Sequence, residues 1–74
     1  MDEHTAAELL RRYEENEEER RLLQEEILRA GYSVLRELES LPHDAPTRRK
    51  YLQKHPNSKA LYLLFNEICD IRGI

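Results

Sequence analysis

Leu23-Gln-Glu-Glu-Ile27-Leu-Arg-Ala30-Gly-Tyr-Ser-Val34-Leu-Arg-Glu-Leu38-Glu-Ser-Leu41 is the stretch on which the fold turns. Apolar residues recur at Leu23, Ile27, Ala30, Val34, Leu38 and Leu41, in steps of three and four. That spacing keeps one face of an α-helix. Leu28, Tyr32 and Leu35 form a second stripe beside it. Gly31 does not shift the phase, because Ile27 to Val34 is a step of seven. An interior glycine costs only about 1 kcal/mol, so the helix is read straight through it, with Gly31 as a point of close packing. The competing reading ends one helix at Gly31, with Tyr32 folding back on Ile27 and Ser33 capping the next.

Toward the N-terminus, Leu9 and Tyr13 extend the apolar series, and no proline intervenes before Pro42. Thr5-Ala6-Ala7-Glu8 has the form of a capping box, in which a hydroxyl and a carboxylate satisfy each other's backbone N–H. The sequence therefore predicts one helix over 5–41, roughly 55 Å long at 1.5 Å per residue. Glu14-Glu15-Asn16-Glu17-Glu18-Glu19-Arg20-Arg21 carries no apolar side chain. In a coiled-coil phase, Asn16 and Arg20 fall on the seam, where polar residues set register. The preferred reading is a solvated acidic segment over 1–22, projecting from a packed core over 23–74. Pairs such as Glu8–Arg12, Glu17–Arg21 and Glu25–Arg29 would support it, each by about 0.2–0.5 kcal/mol.

Toward the C-terminus, Leu41-Pro42-His43-Asp44-Ala45-Pro46-Thr47 reads as a loop. Asp44 or Thr47 caps a short helix over 46–54. His55-Pro56-Asn57-Ser58 is a turn, Asn57 or Ser58 caps a last helix over 59–72, and Gly73 stops it. On that helix, Leu61, Leu64, Ile68 and Ile71 make a first stripe, and Tyr62, Phe65 and Cys69 a second. Composition agrees with an all-α chain. Ala, Leu, Glu, Lys and Arg supply 41 of 74 residues, against one Val, four Ile and two Thr. Branched residues are what a pleated sheet would need. The expected fold is a single all-α domain: a long N-terminal helix with two shorter helices folding back as a helical hairpin or small bundle.

Several functions are excluded or weak. The longest apolar run, Ala60 to Phe65, is six residues, where a membrane span needs about 20. No basic and apolar leader follows the acidic start, so a cytoplasmic, non-membrane protein is expected. One cysteine cannot form a disulfide within the chain. Cys69 lies among apolar neighbours, and a free cysteine there is read as a core thiol rather than a nucleophile paired with His43 or His55. His4, His43, His55 and Cys69 lack metal-ligand spacing on a helix, and two glycines cannot build a phosphate loop. No enzyme activity, cofactor or metal is expected.

Charge divides along the chain. Residues 1–41 carry net −6 and residues 42–74 net +3. Arg48, Arg49 and Lys50, with Lys54 and Lys59, form a basic run, and Tyr51 among them is a candidate to stack on a base. The helix that follows is too apolar to serve as a groove-reading helix, which needs polar side chains. Nucleic-acid binding through these five cations is therefore the alternative reading. The main one rests on the double stripes, since a helix apolar on two faces needs two partners. A chain this short rarely builds more than a few kcal/mol from its own core. Leu28, Tyr32, Leu35, Tyr62, Phe65 and Cys69 are expected to face a partner chain, and the first stripes to build the protomer's core. The function expected is protein–protein interaction by a small homodimer of adaptor, chaperone-like or inhibitory type.

Overall fold

The computed structural model describes residues 1–73. They form four helices and no strand: α1 (Glu3–Glu15), α2 (Arg20–Glu39), α3 (Ala45–Lys54) and α4 (Pro56–Arg72). α4 packs against each of the other three, and α1 also packs on α2. The molecule is flat, 39 × 27 × 13 Å between Cα atoms.

The expected helix over 5–41 is broken at 16–19, and α1 turns back instead of projecting. The reason lies in the acidic segment. Helix through Glu14–Glu19 would bury nothing, whereas folding back buries Ala6 and Leu9 against the core. Apolar burial is worth about 25 cal/mol per Å², so the turn wins. Asn16 ends α1 outside helical geometry, and its N–H donates to the Arg12 carbonyl at 2.9 Å. Arg20 then closes the turn. Its Nε donates to the Tyr13 carbonyl at 3.0 Å, and its guanidinium lies over the Tyr13 ring. The last carbonyls of a helix have no partner within it, and here a cation supplies one.

Helix starts also differ from expectation. Asp2, not Thr5, caps α1, accepting from the Thr5 N–H at 3.3 Å and the Thr5 hydroxyl at 3.2 Å. Glu8 pairs with Arg11 rather than reaching back to Thr5. Arg12 turns across to Glu26 of α2 at 3.4 Å instead of pairing with Glu8. α3 begins as expected behind Asp44, which accepts from the Thr47 N–H at 2.8 Å. α4 starts at Pro56, three residues before the expected 59. Proline suits a first helical position because its missing N–H has no partner to lose.

That early start has a distant cause. Glu3 of α1 reaches the first turn of α4 and accepts from the N–H groups of Asn57 and Ser58, at 3.0 and 2.8 Å, and from the Ser58 hydroxyl at 2.9 Å. Ser58 is therefore no cap. It is fully buried inside the helix with its polar groups satisfied. At the other end Gly73 adopts the left-handed conformation, φ 72°, and stops α4 as expected.

α2 runs unbroken through Gly31. Its first stripe is buried at Leu23, Ile27, Ala30, Val34 and Leu38. On α4 the buried row is Ser58, Leu61, Phe65 and Ile68. The expected α4 stripe is thus rotated: Leu64 is half-buried and Ile71 is 73% exposed, while Phe65 turns inward. Gly31 explains the rotation. A Cβ at that position would overlap the Phe65 side chain, lying 2.6 Å from its Cβ. The glycine makes the room that the ring fills.

Candidate protein-interaction surface

The side chains expected to face a partner divide by depth. Leu28 and Phe65 belong to the protomer's own core. Tyr32 is 46% exposed, and Leu35, Tyr62 and Cys69 are half-buried. The two second stripes therefore meet at Tyr32 and Phe65 across the α2–α4 contact, instead of both facing outward. Tyr32 stands edge-on to Phe65 with ring centroids 5.0 Å apart, and Tyr62 stacks over it at 5.8 Å. Aromatic pairs favour both arrangements, through their quadrupoles. Phe65 is the floor of this seam and the two tyrosines are its rim. Cys69 follows Tyr62 on the same side of α4, two turns on.

Away from the seam, the outer side of α4 carries Leu63, 58% exposed, and Ile71. Leu22 is exposed at the start of α2. Single exposed leucines are ordinary. A rim of aromatic side chains around a buried ring is a different kind of surface, since it is apolar and already ordered.

The basic run is divided as well. Arg48 is half-buried, its guanidinium 2.8 Å from His43 Nδ1, and its Nε is buried with no partner among the described residues. Arg49, Lys50, Lys54 and Lys59 are exposed, and none lies within 4.0 Å of a carboxylate among the described residues. Helical spacing puts Arg49, Lys50 and Lys54 on one outward side of α3. Tyr51 is engaged elsewhere. Its hydroxyl donates to Glu37, and its ring stacks on His55 at 4.3 Å. Burial, and then the charge of Glu3, push its hydroxyl above the ordinary 10.0. A tyrosine so held is not available to stack on a base.

No group of three or more His, Cys, Asp or Glu side chains is placed to hold a metal ion among the described residues. No described helix is long and apolar enough to cross a membrane. Only one ion pair, Arg72 to Glu25 at 2.9 Å, joins the C-terminal half to the acidic half among the described residues.

Sequence reasoning missed Glu3 and Arg20. No local pattern marks Glu3, because its partners lie 54 and 55 residues away. Arg20 had a signal, the cation at the end of an apolar gap. No family model matches the chain, and no curated protein and no solved structure matches it.

Proposed function

We propose that this chain is a non-enzymatic protein-interaction module that works as a homodimer in the cytoplasm, in an adaptor, chaperone-like or inhibitory role. The observation that carries the reading is the open α2–α4 seam. Tyr32 is 46% exposed while touching a ring that is 5% exposed. Such rims are suited to association. Tyrosine buries a large area at the cost of few torsions, and anchors of this kind dominate interfaces.

Light scattering after size exclusion at micromolar concentration tests the reading. The chain is expected to run at twice 8.9 kDa, and Tyr32→Glu to run as a folded monomer. Loss of such an anchor typically costs about 2 kcal/mol or more of binding. A wild-type mass of one protomer that persists on concentration sinks the proposal.

The exposed, unpaired cations of α3 favour a second reading, binding of nucleic acid by Arg49, Lys50, Lys54 and Lys59. Its signature is affinity for random duplex that falls steeply with salt, since each neutralised phosphate releases counterions. Binding that ignores salt, or no binding at low salt, removes it.

A further inference from the structure

The molecule is charged oppositely at its two ends. The end of α1 and the α1–α2 turn together hold five glutamates between positions 14 and 19, all exposed. Glu14, Glu17 and Glu18 have no cation within 4.0 Å among the described residues. The turn precedes the first residue of α2. α3 sits at the opposite end of α2, where Tyr51 donates to Glu37. The 20 residues of α2 separate the two ends by about 30 Å at 1.5 Å per residue. That is several times the Debye length of roughly 8 Å at physiological salt, so the ends cannot neutralise each other within one chain. The aromatic seam lies midway between them. Tyr32 and Gly31 fall near the middle of α2, and Phe65 near the middle of α4.

We infer that the seam is covered by a second copy of this chain lying antiparallel, its acidic turn on the first copy's α3 and its α3 on the first copy's acidic turn. The inference rests on the homodimer reading and adds its orientation. A two-fold axis through the Tyr32–Phe65–Tyr62 cluster produces the arrangement. An isologous contact repeats every interaction, so both ends are matched at once. A parallel pair would set glutamates on glutamates and lysines on lysines, and like charges held together across an interface are strongly disfavoured. The apolar seam supplies the common surface, and the charges choose the direction.

Two measurements on the full chain test this. In the first, carbodiimide, which joins carboxylates to amines in direct contact, is applied to the wild-type protein. Glu17 or Glu18 is expected to join Lys50 or Lys54 in dimer-sized species. The two ends are too far apart for that link to form within one chain. The second uses charge reversal. Lys50→Glu/Lys54→Glu and Glu17→Lys/Glu18→Lys should each weaken self-association about tenfold or more, with circular dichroism unchanged. Mixed in equal amounts, the two variants should associate again. Raising salt should weaken the wild-type dimer. A dimer that ignores salt and both reversals, or that gives no link between the ends, overturns the antiparallel arrangement and leaves the homodimer standing. A wild-type monomer overturns both. Monomers whose α3 captures random duplex would place the cations with nucleic acid instead.

Discussion

Between α2 and α4 the chain is held by the absence of a side chain; between α1 and α2 it is held by the reach of one. At Gly31 the missing Cβ lets Phe65 enter the core, and the side chain that fills the space is apolar. At the α1–α2 turn every residue from Asn16 to Glu19 is exposed, and Arg20 binds the end of α1 through its guanidinium. The first contact gains from surface removed from water, and fails if its shape changes. The second gains from one cation meeting carbonyls that would otherwise lack a partner, and tolerates shape but not loss of the donor. Substitutions in the two places are therefore expected to differ in size and in kind.

The largest effect is expected at the floor of the seam. Phe65→Ala should cost about 3–5 kcal/mol of stability, as truncated core aromatics do. Urea denaturation followed by circular dichroism measures it. A cost below 1 kcal/mol would place Phe65 on the surface, where the sequence periodicity alone assigns it. Tyr32→Ala on the rim should cost far less stability while lowering the oligomer mass.

Gly31→Ala comes next, and here the sign carries the information. In an ordinary helix the change would stabilise by up to about 1 kcal/mol. Against Phe65 the added methyl has no room, and overpacking costs about 1–3 kcal/mol. A net loss is therefore expected. In the Phe65→Ala background the ring is gone, and the same Gly31→Ala should become favourable. A double-mutant cycle reads this reversal directly. Additive effects would mean that glycine and ring do not meet.

At the turn, Arg20→Ala should cost about 1 kcal/mol, the usual scale for a lost cap. Its ring contact with Tyr13 adds about 0.5–1 kcal/mol at an exposed site. Hydrogen exchange is the sharper probe. Amides of α1 should open faster in Arg20→Ala, while those of α2 opposite Phe65 stay protected. Equal acceleration in both helices would show that turn and seam are one cooperative unit.

These two regions also differ in how far the residues announce them. The stripes of α2 are legible from Leu23 to Leu38 because a helix repeats its own period. The ends of α3 and α4 are legible at Asp44 and Gly73 because their capping chemistry is local. The break at 16–19 is disguised. Leu9 and Leu23 stand fourteen residues apart, so they hold the same heptad phase whether or not the helix continues between them. What the phase conceals, the gap reveals: a stretch of eight residues without an apolar side chain has no reason to remain straight. The candidate surface is legible only in part. Tyr32 and Tyr62 stand out as aromatic residues on second stripes, but the depth of Phe65 depends on Gly31 across the helix contact. No reading of α4 alone contains that fact.

The smallest expected effect joins the far ends of the chain and appears as acid is added. Burial pushes the Glu3 carboxyl upward, but the N–H groups of Asn57 and Ser58 and the Ser58 hydroxyl outweigh it and hold the group below its ordinary 4.5. Asp2 and Asp44 lie below their ordinary 3.8, through bonds from the side chain and N–H of Thr5 and Thr47 respectively. A carboxyl lowered by folding contributes stability that is full above its unfolded value and is lost as pH falls through the folded one. Stability should thus be flat near neutrality and decline below about pH 4.5. Glu3→Gln separates the long-range bond from the two local caps. Asp2 and Asp44 act within their own helix starts, so their protonation frays ends. Glu3 ties α1 to α4, so its protonation loosens the docking of one helix on another. Urea midpoints for wild type and Glu3→Gln, taken at neutral pH and near pH 3, decide the matter. The variant should start lower and fall less. A parallel fall in both proteins would assign the acid loss to the other lowered carboxyls, Asp2 and Asp44 at their caps and Glu8 beside Arg11, and would leave the α1–α4 contact resting on apolar packing.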